Sequence, residues 1–264
     1  MPRRVVLAAL LLLGATACAP ARLRLPTGEG SPFPEYAQAW RQATGGCRDV
    51  RSLTAELSIS GRAGRQKLRG HVLAGLASPD RLRLEAAAPF GPPVFILVAD
   101  GDRSTLLLPR DNRVLRGERP AAILDALIGL SLGPSDLLAI LSGCVVPGGE
   151  AAGGRAYPPD WARIDLAGGA TAYIQRAGGS GWQVRAGQRS GLGVDYEPGG
   201  NGLPASVRLV TEGSAGAGTD VRIALSQVAV GQALGPDVFA VRVPADAVPI
   251  TLAELRQAGP VGEK

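Results

Sequence analysis

Apolar and polar positions alternate with a period of two over much of this chain. Leu53, Ala55, Leu57 and Ile59 are interleaved with Thr54, Glu56, Ser58 and Ser60. Successive side chains of a strand point to opposite faces, so this pattern predicts a half-buried strand. Lys67, Arg69 and His71 alternate with Leu68, Gly70 and Val72 in the next, and residues 61–65 make the connecting hairpin loop. Arg81, Arg83 and Glu85 face away from Leu82 and Leu84. Residues 94–99 are apolar on both faces, Asp100-Gly101 is a two-residue hairpin signal, and residues 103–108 return as the partner. Residues 113–116 add a short strand.

The rhythm then changes to helical. Ile123, Leu124, Leu127 and Ile128 recur at three-to-four spacing behind Pro120. Pro134 opens a second helix whose apolar side is Leu137, Leu138, Ile140 and Leu141. Both need a surface to cover. Strands resume after a Gly-rich link at 148–154: 162–166, 171–175, 182–186, 193–196, 206–211, 221–230 and 239–243, at roughly ten-residue spacing, a rhythm that indicates a continuous antiparallel sheet. A helical turn at 252–257 closes the chain, and a short helix at 34–44, ended by Gly45-Gly46, precedes the first strand. The expectation is a mainly β protein: a strongly curved antiparallel sheet of about eleven strands, its concave face covered by a two-helix insertion.

Composition narrows this. Of 264 residues, 45% are hydrophobic but only 4% aromatic, so the core must be aliphatic. The net charge of +5 is carried by scattered arginines without interleaved aromatics, which argues against nucleic-acid binding. No fixed-period repeat is present.

The N-terminus is a secretory leader. Arg3 and Arg4 precede an unbroken apolar run at 5–13, too short to stay in a bilayer as a span. Residues 14–17 then lead to Cys18. Residues 1–17 are read as the signal, 18–33 as Cys18 with a flexible Pro/Gly/Arg-rich tether, and 34–264 as one domain. Cys47 and Cys144 form an even pair in an exported chain, which reads as a disulfide. Closing a loop of nearly a hundred residues is worth about 4–5 kcal/mol in the loop-entropy model. Two buried free thiols are the alternative.

Catalytic constellations fail on context. Residues 129–133 match G-x-S-x-G, but a helix rather than a strand precedes Ser131, and the one histidine, His71, comes before it in the chain. His71 sits on a polar strand face beside Lys67 and Arg69, and no zinc set can be assembled. The GSAGAG run at 213–218 lacks the strand–turn–helix setting of a dinucleotide loop. Asp80, Glu85, Asp100 and Asp102 are dispersed. Neither an enzyme nor a cofactor is expected.

Two resemblances add to this reading. Small residues ending at Cys18 resemble the bacterial lipobox. That resemblance implies a thioether-linked diacylglycerol on Cys18, cleavage before it and acylation of the new amine; several acyl chains make a stable anchor. Ala19, where an Asp would retain the protein at the inner membrane, implies an outer-membrane, periplasm-facing location. The same residues also fit an ordinary Ala-x-Ala cleavage site with an incidental cysteine.

Residues 81–143, with the Pro89-Phe90-Gly91 loop, a hairpin and two helices ending at Gly143, resemble the outer-membrane lipoprotein receptor LolB. Residues 228–252, with Asp237-Val238-Phe239 and Val243-Pro244, are similar to the last strand of the wider LolA/LolB group. The resemblance implies an incomplete, strongly curved β-barrel closed by a helical lid around acyl chains. It also implies a monomer that takes lipoproteins from a LolA-type periplasmic carrier. The lining expected from the sequence is Leu57, Ile59, Leu82, Leu84, Val94, Ile96, Leu106 and Leu108 from strands, with Ile123, Leu127, Leu137 and Leu141 from the lid. Phe90 matches the family's membrane-inserting loop; a turn Phe folded onto the core is the alternative. The chain departs from the family in having three Trp, and in carrying Ala139 where the second lid helix often has Trp. A carrier of another lipid on the same fold, and a structural lipoprotein with a filled core, are the competing readings.

Overall fold

The computed structural model describes residues 23–178, 181–212 and 218–258. The leader, Cys18 and most of the 213–218 run lie outside the described residues.

The period-two segments form one curled fifteen-stranded sheet. One antiparallel meander runs through β2 (Ser52–Ala63), β3 (Gln66–Ala77), β4 (Arg81–Ala87), β5 (Phe95–Asp100), β6 (Arg103–Leu108) and β7 (Arg113–Arg116). A second runs through β8 (Ala151–Tyr157), β9 (Trp161–Leu166), β10 (Thr171–Ala177), β11 (Gly181–Arg189), β12 (Leu192–Pro198), β13 (Pro204–Thr211) and β14 (Thr219–Val230). They join where β14 pairs with β2, placing Leu225 opposite Leu57 and Ile223 opposite Ile59. Strand β1 (Ser31–Pro32) adds to the β8 edge, and β15 (Val248–Pro249) adds to β7 in the one parallel pairing.

The helical insertion therefore connects opposite edges of the sheet. Helix α2 (Pro120–Ile128) leaves β7, and α3 (Pro134–Ser142) returns to β8. The crossing puts both helices over the concave face, where α2 packs on β6 and α3 on β2, β3, β4 and β13. Helix α1 (Tyr36–Arg48) covers the β8–β11 side, and α4 (Leu252–Ala258) packs on α2. Register sorts the side chains: Leu84, Leu97, Leu106 and Leu115 face inward from four neighbouring strands.

The structure departs from the sequence expectation in four places. The sheet has fifteen strands rather than about eleven: all six segments read before the helices and six of the seven read after them form strands, and β8 from the Gly-rich link and the two-residue edge strands β1 and β15 add three. The strand expected at 239–243 is absent; a 3-10 turn at Pro236–Phe239 lies on the outer side of β4 and β5 instead. There Arg83 donates to the Val238 and Ala240 carbonyls, and Arg81 stacks over Phe239.

Helix α1 runs through Gly45-Gly46 to Arg48. Tertiary bonds offset the glycine cost: Trp40 Nε1 and an Arg48 Nη both donate to the Gly149 carbonyl (2.8 and 2.9 Å), and Cys47 is bonded to Cys144. The tether is also docked from residue 23 onward. Tyr157 donates to the Gly28 carbonyl, Phe33 packs on Trp182, and Leu23 and Leu25 lie against the outer side of β10–β13.

Candidate functional site

The interior has two unlike halves. On the α1 side it is aromatic and braced. Trp40 is 2% exposed, Tyr196 is fully buried with its hydroxyl donating to the Cys144 carbonyl (2.9 Å), and the Cys47–Cys144 disulfide joins α1 to the end of α3. Burial pushes the Tyr196 phenol well above its ordinary pKa. Here the sheet is pared down to let the segment after α3 approach: a Cβ on Gly187 would stand 2.4 Å from the Val145 side chain.

Under α2 and α3 the interior is aliphatic. Phe95 is the one aromatic among the inward side chains of β2–β7 and the lid; the rest are mainly Leu, Ile, Val and Ala. Such a surface is chemically matched to acyl methylenes and offers them no polar competitor.

The lid is capped at both ends and fastened at few points. Left-handed glycines end both helices, Gly129 (φ 69°) and Gly143 (φ 101°), a conformation that a β-carbon disfavours. Asp136 in the first turn of α3 accepts the Gly133 amide (3.0 Å) and pairs with Arg189 at the end of β11 (2.7 Å). Thr219 donates to the Ile128 carbonyl at 3.1 Å, and Arg256 reaches Asp125 at 3.4 Å. Among the described residues the other contacts that hold the lid are apolar, apart from the disulfide and the Tyr196–Cys144 hydrogen bond at the end of α3.

Eleven of the twelve expected lining residues meet in one cluster. Leu57, Leu82, Leu84, Leu106, Leu108, Ile123, Leu127, Leu137 and Leu141 are 0–8% exposed, and Ile59 and Val94 pack against them half-buried. Ile96 does not join them. It pairs with Glu85 and Leu107, one residue out of phase with the inward Leu97, and so faces the outer side. The all-apolar run at 94–99 hid that phase: both faces are covered, the inner by the lid and the outer by the C-terminal segment.

In this closed arrangement the lid leucines themselves fill the concave face. Pockets open instead at the outer surface, beside the disulfide between α1 and β11–β12, and under Leu23. Sequence reasoning missed Arg189, Asp136 and Thr219 as lid fasteners. Asp136 carried a usable signal, an acidic residue two after the helix-opening proline; Arg189 and Thr219 carried none.

Phe90 is 88% exposed at the β4–β5 loop, not folded onto the core. Arg110 holds the loop from the neighbouring β6–β7 turn, donating to the Phe90 and Pro92 carbonyls (3.1 and 3.3 Å). His71 lies on the outer face of β3, hydrogen-bonded to Ser58, and Ser131 is exposed between the lid helices. Among the described residues no cluster of His, Cys, Asp or Glu could hold a metal.

No protein-family model matches the chain. No curated protein matches it in sequence. Solved structures do match in fold. The crystal structure of a LolA superfamily protein from Nitrosomonas europaea superposes with a TM-score of 0.51 at 9% identity, covering 78% of this chain and 97% of that one. A DUF1329 family protein from Desulfovibrio piger ATCC 29098 gives 0.51 at 11% identity, covering 78% and 95%. The fold of this protein is a LolA-like open barrel with a helical lid.

Proposed function

We propose that this protein is a lipid-anchored carrier that holds acyl chains between its lid and its curled sheet and delivers them to a membrane. The observation that carries the reading is the aliphatic half of the interior, covered by helices that only a few polar contacts retain. Each buried CH₂ stabilises by roughly 0.8 kcal/mol, whether it belongs to a lid leucine or to an acyl chain. Exchanging one for the other is therefore nearly neutral, and binding proceeds by displacing α2 and the first turn of α3. The disulfide holds the far end of α3, so Gly143 is the pivot. No nucleophile is needed.

The finer reading is a LolB-like receptor. Cys18 carries the lipid anchor in the outer membrane, a LolA-type carrier hands over the lipoprotein, and exposed Phe90 enters the bilayer during insertion. The fold shared with a LolA superfamily protein supports this reading, as do the lipobox-like leader and the placement of Phe90. The test is transfer of a fluorescent diacyl lipopeptide from donor to acceptor vesicles. Catalysed transfer supports the carrier; a rate equal to the spontaneous one removes it.

One observation favours a second reading, a structural lipoprotein: nine of the expected lining residues are 0–8% exposed, as in an ordinary filled core. That reading predicts no acyl uptake under any condition that leaves the fold intact.

A further inference from the structure

Four basic side chains cluster on the outer face of the β2–β3 hairpin. Arg62 stands opposite Lys67, Arg69 stands opposite Ser60, and Arg65 sits in the turn between the strands. All four are exposed, and none forms an ion pair among the described residues. Elsewhere on this sheet, four outward arginines are compensated: Arg83, Arg163, Arg208 and Arg222 each reach a carboxylate. Asp220, the cross-strand neighbour of Arg62, is already engaged by Arg208. Asp111 and Glu212 are the exposed acids in the turns at this end of the strands.

The register puts this hairpin next to Phe90. His71 pairs with Ala87, so the β2–β3 turn and the β4–β5 loop project from the same end of adjacent strands. The N-terminal segment reaches the same convex side. Leu23 lies against Asp195, Arg208 and Arg222, and Arg222 pairs with Ser60 of β2. At about 3.5 Å per residue, the five steps from Leu23 back to Cys18 span no more than roughly 18 Å.

We propose that the outer face of the β2–β3 hairpin is a docking surface for an anionic phospholipid bilayer. The four cations would lie among the headgroups and so orient Phe90 toward the hydrocarbon. Uncompensated cations beside an exposed aromatic are what a peripheral membrane site requires. Each cation at such a surface strengthens binding about fivefold, within a Debye length of roughly 10 Å. An anchor at Cys18 belongs to the reading above; the surface does not depend on it.

The experiment removes the anchor. The chain from Ala19 onward, which includes every described residue, is sedimented with vesicles of phosphatidylglycerol and phosphatidylethanolamine, and with phosphatidylcholine vesicles. Binding is expected to rise with the anionic fraction and fall in salt. Lys67→Glu with Arg69→Glu is expected to lose at least about tenfold, while Arg155→Glu, on distant β8, retains it. Fatty-acid uptake in the absence of vesicles reads the carrier function separately, and circular dichroism reads folding. Equal binding to both vesicle types, no loss on charge reversal, or no binding at all would overturn the proposal. The last result would leave an acidic protein as the occupant.

Discussion

Asp136 and Arg189 meet at 2.7 Å and tie the first turn of the lid helix α3 to the end of β11. They are 53 positions apart, on elements that a moving lid must separate. Both side chains are 21% exposed, so the pair is only partly screened. A charged hydrogen bond of this kind contributes about 1.5 kcal/mol, roughly tenfold in the ratio of closed to open lid. Arg189→Ala is expected to speed uptake of a fluorescent fatty acid by up to that factor and to lower the melting temperature slightly. Unchanged uptake would show that the lid is not the gate.

The disulfide and Ala139 are coupled. Ala139 is 8% exposed and packs directly against Cys47 and Cys144. A Trp here, the residue the LolB resemblance expects, would overpack this contact and cost about 1–3 kcal/mol. Replacing both cysteines by serine is expected to cost about 2–5 kcal/mol. In the serine background Ala139→Trp is expected to be milder, so urea melts of the four proteins give a non-additive cycle. Strict additivity would mean the bridge does not set the space at Ala139.

Phe90→Glu is expected to leave the melting temperature unchanged, because the side chain is 88% exposed. Delivery of bound acyl cargo to vesicles should fall at least about tenfold, since a carboxylate resists entry into the bilayer. Normal delivery by this variant would remove the loop from the mechanism.

Tyr196 sets an alkaline limit. Burial raises its folded-state pKa above the unfolded value of about 10. Its stabilising contribution is therefore complete below about pH 10 and is lost as the pH rises beyond it. Tyr196→Phe should be less stable by about 1 kcal/mol at neutral pH, because the Cys144 carbonyl loses its donor. Its melting temperature should also fall less steeply above pH 10. Parallel pH profiles for the two proteins would contradict the assignment.

Most of the fold was legible because the chain states it locally. Alternation marked β2, β3 and β4, and the prolines at 120 and 134 marked the starts of α2 and α3. What was not legible depends on partners far away in sequence. Gly45-Gly46 reads as a helix stop, yet α1 continues because Trp40 and Arg48 bond to Gly149 and Cys47 to Cys144. Residues 23–33 read as a tether, yet they gain order from Tyr157, Trp182 and the outer sheet face. For the site, period-two phasing placed seven of eight strand residues in the inner cluster, and helical spacing placed all four from the lid. It failed at Ile96, because the run at 94–99 is apolar on both faces and only Asp100, at the end of β5, marks the outward phase.

Native mass spectrometry of the periplasmically expressed chain, titrated with a diacyl lipid, tests the central claim most directly. The account predicts one stoichiometric acyl-bearing adduct, held more weakly when Leu127 or Leu137 is replaced by Asp. A bare mass throughout the titration, from a protein with an intact melting transition, would contradict it and leave a lipoprotein whose interior is simply its core.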